Sequence, residues 1–278
     1  MPLPPPARSA SDMAATGLPP QPMHRFHLTP EQCHAPTLTL TDAEAHHARQ
    51  VLRVRTGDRV AVLDGAGHEY LCEVTDVTRH AVVLRARQRH DLPALPYRLT
   101  LFQAVTKSRS MDLIVQKATE LGAHRIVPVL SERSVVQWSA EDAPRKTGKW
   151  QAVAVEAIKQ CGAPWLPIIE TPATLQAVLA RNDRFDLMFL ASLQPGNRHP
   201  RECFATFSAD HGRAPTEVAV WIGPEGDFTP AELSAILSSG ALPITLGPLV
   251  LRSETAAIYC LSFLSYELQR PVLRPGTA

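Results

Sequence analysis

Two short loops near the C-terminus, Gly223 to Phe228 and Leu246 to Thr255, carry the residue types best suited to holding a ligand. The first follows an apolar run, Glu217 to Ile222, that reads as a β-strand and passes straight into Gly223-Pro224-Glu225-Gly226. The second follows Pro243 to Leu246 in the same way and enters Gly247 to Arg252. Glycine has no Cβ, so its backbone N–H and C=O groups can approach a ligand closely, as reading an adenine edge by main-chain hydrogen bonds requires. Two such loops at the carboxyl ends of neighbouring parallel strands would form the crevice in which α/β sheets bind ligands. Neither is a phosphate cradle, because the chain has no GxxxxGK[ST] and no GxGxxG. Either loop alone reads more simply as a plain turn; the pair suggests a pocket.

The elements that must position these loops follow from hydrophobic periodicity. From Tyr97 onward strands and helices alternate, which predicts a parallel sheet covered by helices. Arg98 to Ala104 is a strand, and Met111, Ile114, Val115, Ala118 and Leu121 then form one helix face, with Ser110 as cap and Gly122 as stop. Arg125 to Leu130 is the next strand. Trp150, Val153, Ala154, Ala157, Ile158 and Cys161 predict a helix ending at Gly162, with strands after it at Leu166 to Ile169 and Asp186 to Ala191. Thr229, Pro230 and Glu232 supply a capping box with proline at the first helical position, and Ser253 is placed to cap a last helix running to Gln269.

Upstream the pattern changes. Met23 to about Leu92 reads as a small β-barrel, with strands at Arg59 to Leu63, His68 to Val77 and His80 to Gln88 and a tight turn at Asp64-Gly65. Its one expected helix runs from Asp42 to Val54, capped by Thr41 or Asp42. Residues 1–22 hold seven prolines and no apolar stretch of the signal-peptide kind, so they read as a disordered extension.

Composition narrows the class without naming a function. Of 278 residues, 45% are hydrophobic and 20% charged, which excludes a wholly disordered chain and a membrane bundle. No run reaches the roughly 18 apolar residues of a spanning helix, so no membrane role is expected. The net charge of +1 gives no global pull toward nucleic acid, and any such contact must come from local patches. One candidate is Arg79 with Arg85, Arg87 and Arg89, the last three alternating onto one strand face. That strip reads either as a solvated edge that discourages strand aggregation or as a track for phosphates. Five scattered cysteines without a CxxC pair argue against disulfides and structural zinc and fit a reducing cytoplasm. His46 and His47 are adjacent but have no second ligand cluster, so no metal is expected.

Lys107 to Val135 (KSRSMDLIVQKATELGAHRIVPVLSERSV), Glu156 to Gly162 (EAIKQCG), Ile222 to Glu232 (IGPEGDFTPAE) and Thr245 to Ala257 (TLGPLVLRSETAA) together resemble the SPOUT-class 16S ribosomal RNA uridine-N3 methyltransferases. Met23 to Phe26 with Ala45 to Val62 is similar to that family's PUA-like RNA-binding barrel. The resemblance implies an α/β trefoil-knot methyltransferase domain over residues 95–278, a PUA-like β-barrel over 23–94, a homodimer with the knot at its two-fold interface, and S-adenosylmethionine as cofactor. It also implies a donor pocket made by Leu190, Ala191, Ile222, Gly223, Pro224, Glu225 and Gly226, with Leu246, Gly247, Pro248, Leu251, Arg252 and Thr255 across from them. Three positions depart from the family pattern: Asp227 stands in place of a glycine, and Leu249 and Ala163 in place of arginines. The implied substrate is 16S ribosomal RNA or the small ribosomal subunit. A related enzyme acting on another RNA site, or a non-catalytic RNA-binding assembly factor, would share most of these features.

Uracil N3 keeps its proton at neutral pH, so its methylation needs the proton removed and the resulting negative charge on the flanking carbonyls stabilised. The forked, permanently charged guanidinium of Arg252 suits the second task. Glu225 or Glu254 can serve as the base, or can accept backbone N–H bonds that hold the loops. Candidate RNA contacts are Arg25, Arg53, Arg85, Arg87 and Arg89 from the barrel and Lys107, Arg109 and Arg133 from the larger domain, chiefly to phosphates. Lys159 and Gln160 can line the pocket for a base splayed from its stack, though a solvated helix face is the simpler account of Lys159.

Overall fold

The computed structural model of the chain describes residues 23–35, 37–134, 142–192 and 196–269. The expected disordered extension, residues 1–22, lies outside the described residues.

Alternation with a period of two builds the N-terminal unit. Strands β1 (His24–His27), β2 (Thr37–Leu40), β3 (Arg59–Leu63), β4 (His68–Val77) and β5 (Val82–Asp91) form one sheet in the order β1-β3-β4-β5-β2. Phe26, Leu38, Leu40, Val60, Val62, Val74 and Leu84 are buried together as its core. The turn between β3 and β4 is held by Asp64, whose Oδ1 accepts from the backbone N–H of Ala66 at 2.8 Å and of His68 at 3.1 Å. The expected Asp42 to Val54 helix is shorter than its pattern. Helix α1 (Asp42–His46) passes into one wide π turn over His47–Val51, and Arg53, at φ +54°, takes the chain out of the helical path.

The arginine strip does not form one face. Pairing of β4 with β5 slips by one residue, so that Leu71 faces Gln88 while Cys72 faces Ala86, leaving Arg87 as a bulge. Because a one-residue slip reverses which side later residues face, Arg85 lies beside Glu73 and Arg89 beside the core residue Tyr70, on opposite faces. Arg89 sits over the Tyr70 ring at 5.9 Å and pairs with Asp91 at 2.8 Å, while Arg87 pairs with Glu73 at 2.7 Å. Arg85 alone of the three is exposed without a hydrogen bond or ion pair among the described residues.

The C-terminal unit is α/β. Strands β6 (Arg98–Ala104), β7 (Arg125–Leu130), β8 (Ile168–Ile169), β9 (Ala173–Thr174), β10 (Leu187–Ala191), β11 (Glu217–Ile222) and β12 (Leu242–Ile244) form a parallel sheet in the order β12-β10-β11-β6-β7-β8, with β9 pairing β7. One face packs Leu99, Leu101, Val218, Val220 and Ile222 against helices α2 (Ser108–Glu120), α3 (Asp142–Cys161), α5 (Pro200–His211) and α7 (Ser253–Leu268). The other packs Phe102, Ala104, Ala219 and Trp221 against α4 (Leu175–Leu179) and α6 (Pro230–Ser238). Burial on both faces explains why these strands read as nearly continuous apolar runs. The capping box opening α6 is present as expected: Thr229 Oγ1 accepts from Glu232 N, and Glu232 Oε2 accepts from Thr229 N at 2.9 Å.

Three sequence expectations change here. The strands feeding the two glycine loops are not neighbours, because β10 lies between β11 and β12 and pairs with both. The N-cap of α2 is Lys107 rather than Ser110, so the helix starts one turn sooner. Ser253 is the first residue of α7, not its cap, and its hydroxyl is used elsewhere.

At the amino ends of β10 and β11, Asp186 ties the sheet together. Its carboxylate accepts from Arg213 Nη2 at 2.6 Å, from Thr216 N at 2.7 Å and from Glu217 N at 3.2 Å. The Arg213 guanidinium, helped by the backbone N–H groups of Thr216 and Glu217, holds this carboxyl well below the usual aspartate range. A depressed folded-state value means the stabilisation is present above the ordinary aspartate value and is lost as pH falls below it. Asp186→Asn should therefore cost about 2 kcal/mol at neutral pH, the scale of charge-assisted hydrogen bonds, and progressively less toward pH 3. Urea unfolding of both proteins across that range measures it, and a gap that does not narrow with acid would contradict the assignment.

Candidate functional site

Where β10, β11 and β12 end, three loops enclose a cavity of about 650 Å³, within the range of small-molecule pockets. Each loop is shaped by local chemistry. The turn after β11 is closed by a bond from Asp227 N to Pro224 O at 3.0 Å, and Asp227 itself takes the left-handed conformation at φ +58°. A short polar side chain makes that tolerable, since Asp227 Oδ1 accepts from Phe228 N at 2.8 Å. Aspartate thus holds a backbone conformation that glycine adopts most readily. Phe228 is buried edge-on against Trp221, with ring centroids 6.5 Å apart, and anchors the end of the loop.

The loop after β12 turns at Gly247, at φ +102°, with Gly247 N bonded to Thr245 Oγ1 at 3.1 Å. A Cβ built on Gly247 would meet nothing within 4 Å, so the turn needs glycine for its φ and not for want of room. The loop after β10 is drawn in by Asn197 Nδ2, which donates to Ser192 O at 2.6 Å. Its segment 193–195 lies outside the described residues.

A buried polar relay joins these parts. Ser253 Oγ donates to Gly223 O at 2.7 Å and accepts from Gln103 Nε2 at 3.0 Å, tying the β11 loop, the start of α7 and the end of β6 at one point. Gln103 is fully buried, and its Oε1 has no partner among the described residues. From the other side Arg133 donates to Gly226 O at 2.8 Å, and the loop bearing Arg133 is fixed by Glu132 N donating to the buried Glu232 at 2.9 Å.

Of the residues expected at a ligand pocket, Ala191, Ile222, Gly223, Pro224, Glu225, Leu246, Gly247, Pro248, Leu251 and Arg252 line this cavity. Leu190, Gly226 and Thr255 do not. Leu190 points into the core beneath the other sheet face, the Gly226 carbonyl is taken by Arg133, and Thr255 lies on the exposed side of α7. Sequence reading missed Ser192, Gly196 and Asn197 as lining residues, because the strand order that places them there is not local information, although Gly196-Asn197 is itself a turn signal. It also missed Thr245 and Ala256, whereas Asp227, Leu249, Val250 and Ser253 fall within the two expected loops without having been singled out as pocket residues.

Charge around the cavity is mixed. Glu225 and Asp227 contribute carboxylates and Arg252 a guanidinium. Arg252 is exposed, and its side chain makes no hydrogen bond or ion pair among the described residues. Glu225 is likewise unpaired there and lines the cavity, whereas Glu254 is half-buried and does not. Among the described residues neither glutamate holds its loop by accepting backbone N–H bonds; Asp227 does so for the first loop, and Ser253 fixes the start of α7 by donating its hydroxyl to Gly223 O. No group of three or more His, Cys, Asp or Glu is placed to hold a metal among the described residues.

The expected nucleic-acid contacts divide. Lys107 and Arg109 are exposed at the carboxyl end of β6, and Arg133 at that of β7, all on the sheet edge that bears the cavity. Arg53 and Arg85 are exposed on the N-terminal unit. Lys159 is neither a base contact nor a solvated residue: its side chain is 6% exposed and bridges Glu44 and Glu156. Arg25 packs its guanidinium against Gly162 rather than facing outward. Both corrections have one cause, which is that the end of α3 docks against the N-terminal unit.

The profile of the RNA methyltransferase domain matches residues 93–265, and that of the RNA methyltransferase PUA domain matches residues 40–86. Ribosomal RNA small subunit methyltransferase E of Bacillus subtilis is 30% identical over 244 residues, covering 87% of this chain and 95% of that protein. A methyltransferase from Legionella pneumophila, solved with S-adenosylmethionine bound, superposes with a TM-score of 0.79 at 29% identity over 88% of this chain and 98% of its own. Ribosomal RNA small subunit methyltransferase E from Neisseria gonorrhoeae, also solved with S-adenosylmethionine, gives 0.75 at 25% identity over 88% and 98%. With a catalytic-domain match over most of the chain and a near full-length relative, this chain belongs to the family of RNA methyltransferases typified by ribosomal RNA small subunit methyltransferase E.

Proposed function

We propose that this chain transfers a methyl group from S-adenosylmethionine to N3 of a specific uridine in 16S ribosomal RNA of the small ribosomal subunit. The observation that carries the reading is the three-loop cavity with the unpaired Arg252 at its rim. The cavity fits the donor in kind: Ile222, Leu246, Pro248 and Leu251 supply apolar walls, Gly223 and Gly247 let main chain approach, and Glu225 and Asp227 match a cationic sulfonium and ammonium. When bound, S-adenosylmethionine supplies an electrophilic methyl group on sulfur.

The remaining chemistry belongs to the protein. Arg252 stabilises the charge that develops on the uracil carbonyls as N3 loses its proton. Glu225, the carboxylate on the cavity wall, is better placed than Glu254 to take that proton. Lys107, Arg109, Arg133, Arg53 and Arg85 contact phosphates and position the RNA, while the pocket selects a base turned out of its stack.

Residues 23–94 act as a PUA-like RNA-binding barrel and 95–278 as a SPOUT methyltransferase domain containing a trefoil knot. Chain path supports the knot: β12 lies at the sheet edge, yet α7, directly after it, packs on α2, β6 and β11 beyond β10. Exposed Leu249, Val250, Tyr259 and Tyr266 on and beside α7 support a homodimer formed there. No helix among the described residues is long and apolar enough to cross a membrane, and with ribosomal RNA as substrate the proposed location is the cytoplasm.

Purified protein, labelled donor and small subunits from cells lacking this activity test the reading. Expected is one methyl group per subunit, recovered as 3-methyluridine after nucleoside digestion. No transfer, or transfer to another atom, would refute it.

A further inference from the structure

Lys159 and Arg25 meet at a seam that joins the two units of the chain. In the last turn of α3, Lys159 Nζ lies 2.6 Å from Glu44 Oε1 on α1 and 2.7 Å from Glu156 Oε1. The second Glu44 oxygen accepts from His27 N in β1 at 3.3 Å, so one carboxylate binds both a strand of the N-terminal unit and a helix of the other. Beyond it, the Arg25 guanidinium fills the space over Gly162, where a Cβ would stand 3.0 Å from its Cζ. The seam continues through Leu166 N to Gly65 O at 2.9 Å, Gly67 N to Pro164 O at 3.0 Å and Trp165 Nε1 to Leu92 O at 3.0 Å. Trp165 presses so closely on Gly67 that any side chain there would collide with its ring.

An exposed ion pair contributes little, but a nearly buried ammonium tolerates few arrangements of its surroundings. Burial works against the Lys159 charge, yet the Glu156 and Glu44 carboxylates outweigh it and raise its pKa. Sliding α1 along α3 would separate Lys159 from Glu44 and leave two largely buried charges apart. The pair therefore specifies relative placement more than it adds stability.

Placement matters because exposed cations with no ion pair among the described residues stand on both sides of the seam, Arg53 and Arg85 on one and Lys107 and Arg109 beside the cavity on the other. One RNA gains from the second set only if its distance from the first is fixed in advance. We propose that Lys159 and Glu44 are positioning residues for the RNA substrate, holding the N-terminal cations in register with the cavity so that one RNA engages both. The proposal rests on the RNA-methylating reading above.

Lys159→Met keeps the length and packing of the side chain and removes its charge. For the small-subunit substrate its KM should rise about tenfold, as expected when two linked contacts lose their fixed spacing, with kcat at saturating RNA and donor Kd unchanged. Lys159→Arg should restore the KM, since a forked guanidinium reaches both carboxylates. Glu44→Gln, a milder change should Lys159→Met fold poorly, should move KM the same way, and the double variant should be no worse than Lys159→Met. A lowered Tm with unchanged KM for RNA, measured well below the transition, would make the pair merely structural and overturn the proposal. The double variant Arg53→Ala/Arg85→Ala separates the two layers of inference. If it leaves KM for RNA unchanged, these arginines do not engage the RNA and the proposal falls while the methylating reading stands; absence of methyl transfer by the unaltered protein would remove both. If it raises KM while Lys159→Met does not, only the positioning role falls.

Discussion

Arg252→Ala should lower kcat for methyl transfer by about 10²–10³-fold, the usual loss when one donor to a developing oxyanion is removed. Donor affinity should stay within about threefold, because the cavity walls and main chain, not this side chain, make up most of the pocket. The fold should be unaffected as well: the Arg252 side chain is exposed and unpaired among the described residues, and its contribution to α7 is a backbone one, through its carbonyl accepting from Ala256 N at 2.8 Å. Arg252→Lys should recover only part of the rate, since a single ammonium cannot present two parallel donors to the uracil edge. Single-turnover methyl transfer with saturating donor, set beside calorimetric titration of the donor, separates the two quantities. Normal turnover in Arg252→Ala would remove the residue from the chemical step, and lost donor binding would reassign it to the pocket.

Arg252 is legible in the sequence from its permanent charge and its place at the end of the second glycine loop. Strands such as Arg98–Ala104, Arg125–Leu130 and Glu217–Ile222 were legible to the residue because a sheet buried on both faces imposes unbroken apolar runs ending at glycine or polar turns. The α6 capping box was legible because its partners lie within one turn of each other. What escaped depends on partners distant in the chain. Insertion of β10 between β11 and β12 brought Ser192 and Asn197 to the cavity, and no local pattern encodes sheet order. The β5 bulge split an arginine strip that an unbroken alternation would have kept on one face. Lys159 was misread because a lysine on a helix is ordinarily solvated, and its burial follows from Glu44, 115 residues away.

Ser253 is the sharpest case of this kind, and it carries the second large effect. At the start of a helix, serine reads as an N-cap; here the cap position belongs to Arg252, and the Ser253 hydroxyl is spent on Gly223 O and Gln103 Nε2 instead. Ser253→Ala would strand the Gly223 carbonyl, at a cost of about 1–3 kcal/mol, and take from the Gln103 amide one of its two partners, leaving it Ala104 O at 2.9 Å. Because the carbonyl belongs to the loop that forms one wall of the cavity, part of that cost should appear as a donor Kd weakened by about 10- to 100-fold, at tenfold per 1.4 kcal/mol. The transfer rate at saturating donor should change little, since neither group touches the uracil. Ser253 lines the cavity, so a direct contact with the donor could give the same loss; Gln103 does not line it, and Gln103→Met tests the relay itself. Gln103→Met should weaken the donor in the same direction, and the double variant should fall short of the sum of the two, as residues in one hydrogen-bonded chain do. Wild-type donor affinity in Gln103→Met would reduce the relay to a feature of packing. Full additivity would mean that Ser253 and Gln103 act separately. The expected pattern, weak binding with preserved chemistry, would place the donor pocket's rigidity in two buried side chains that composition and periodicity leave unmarked.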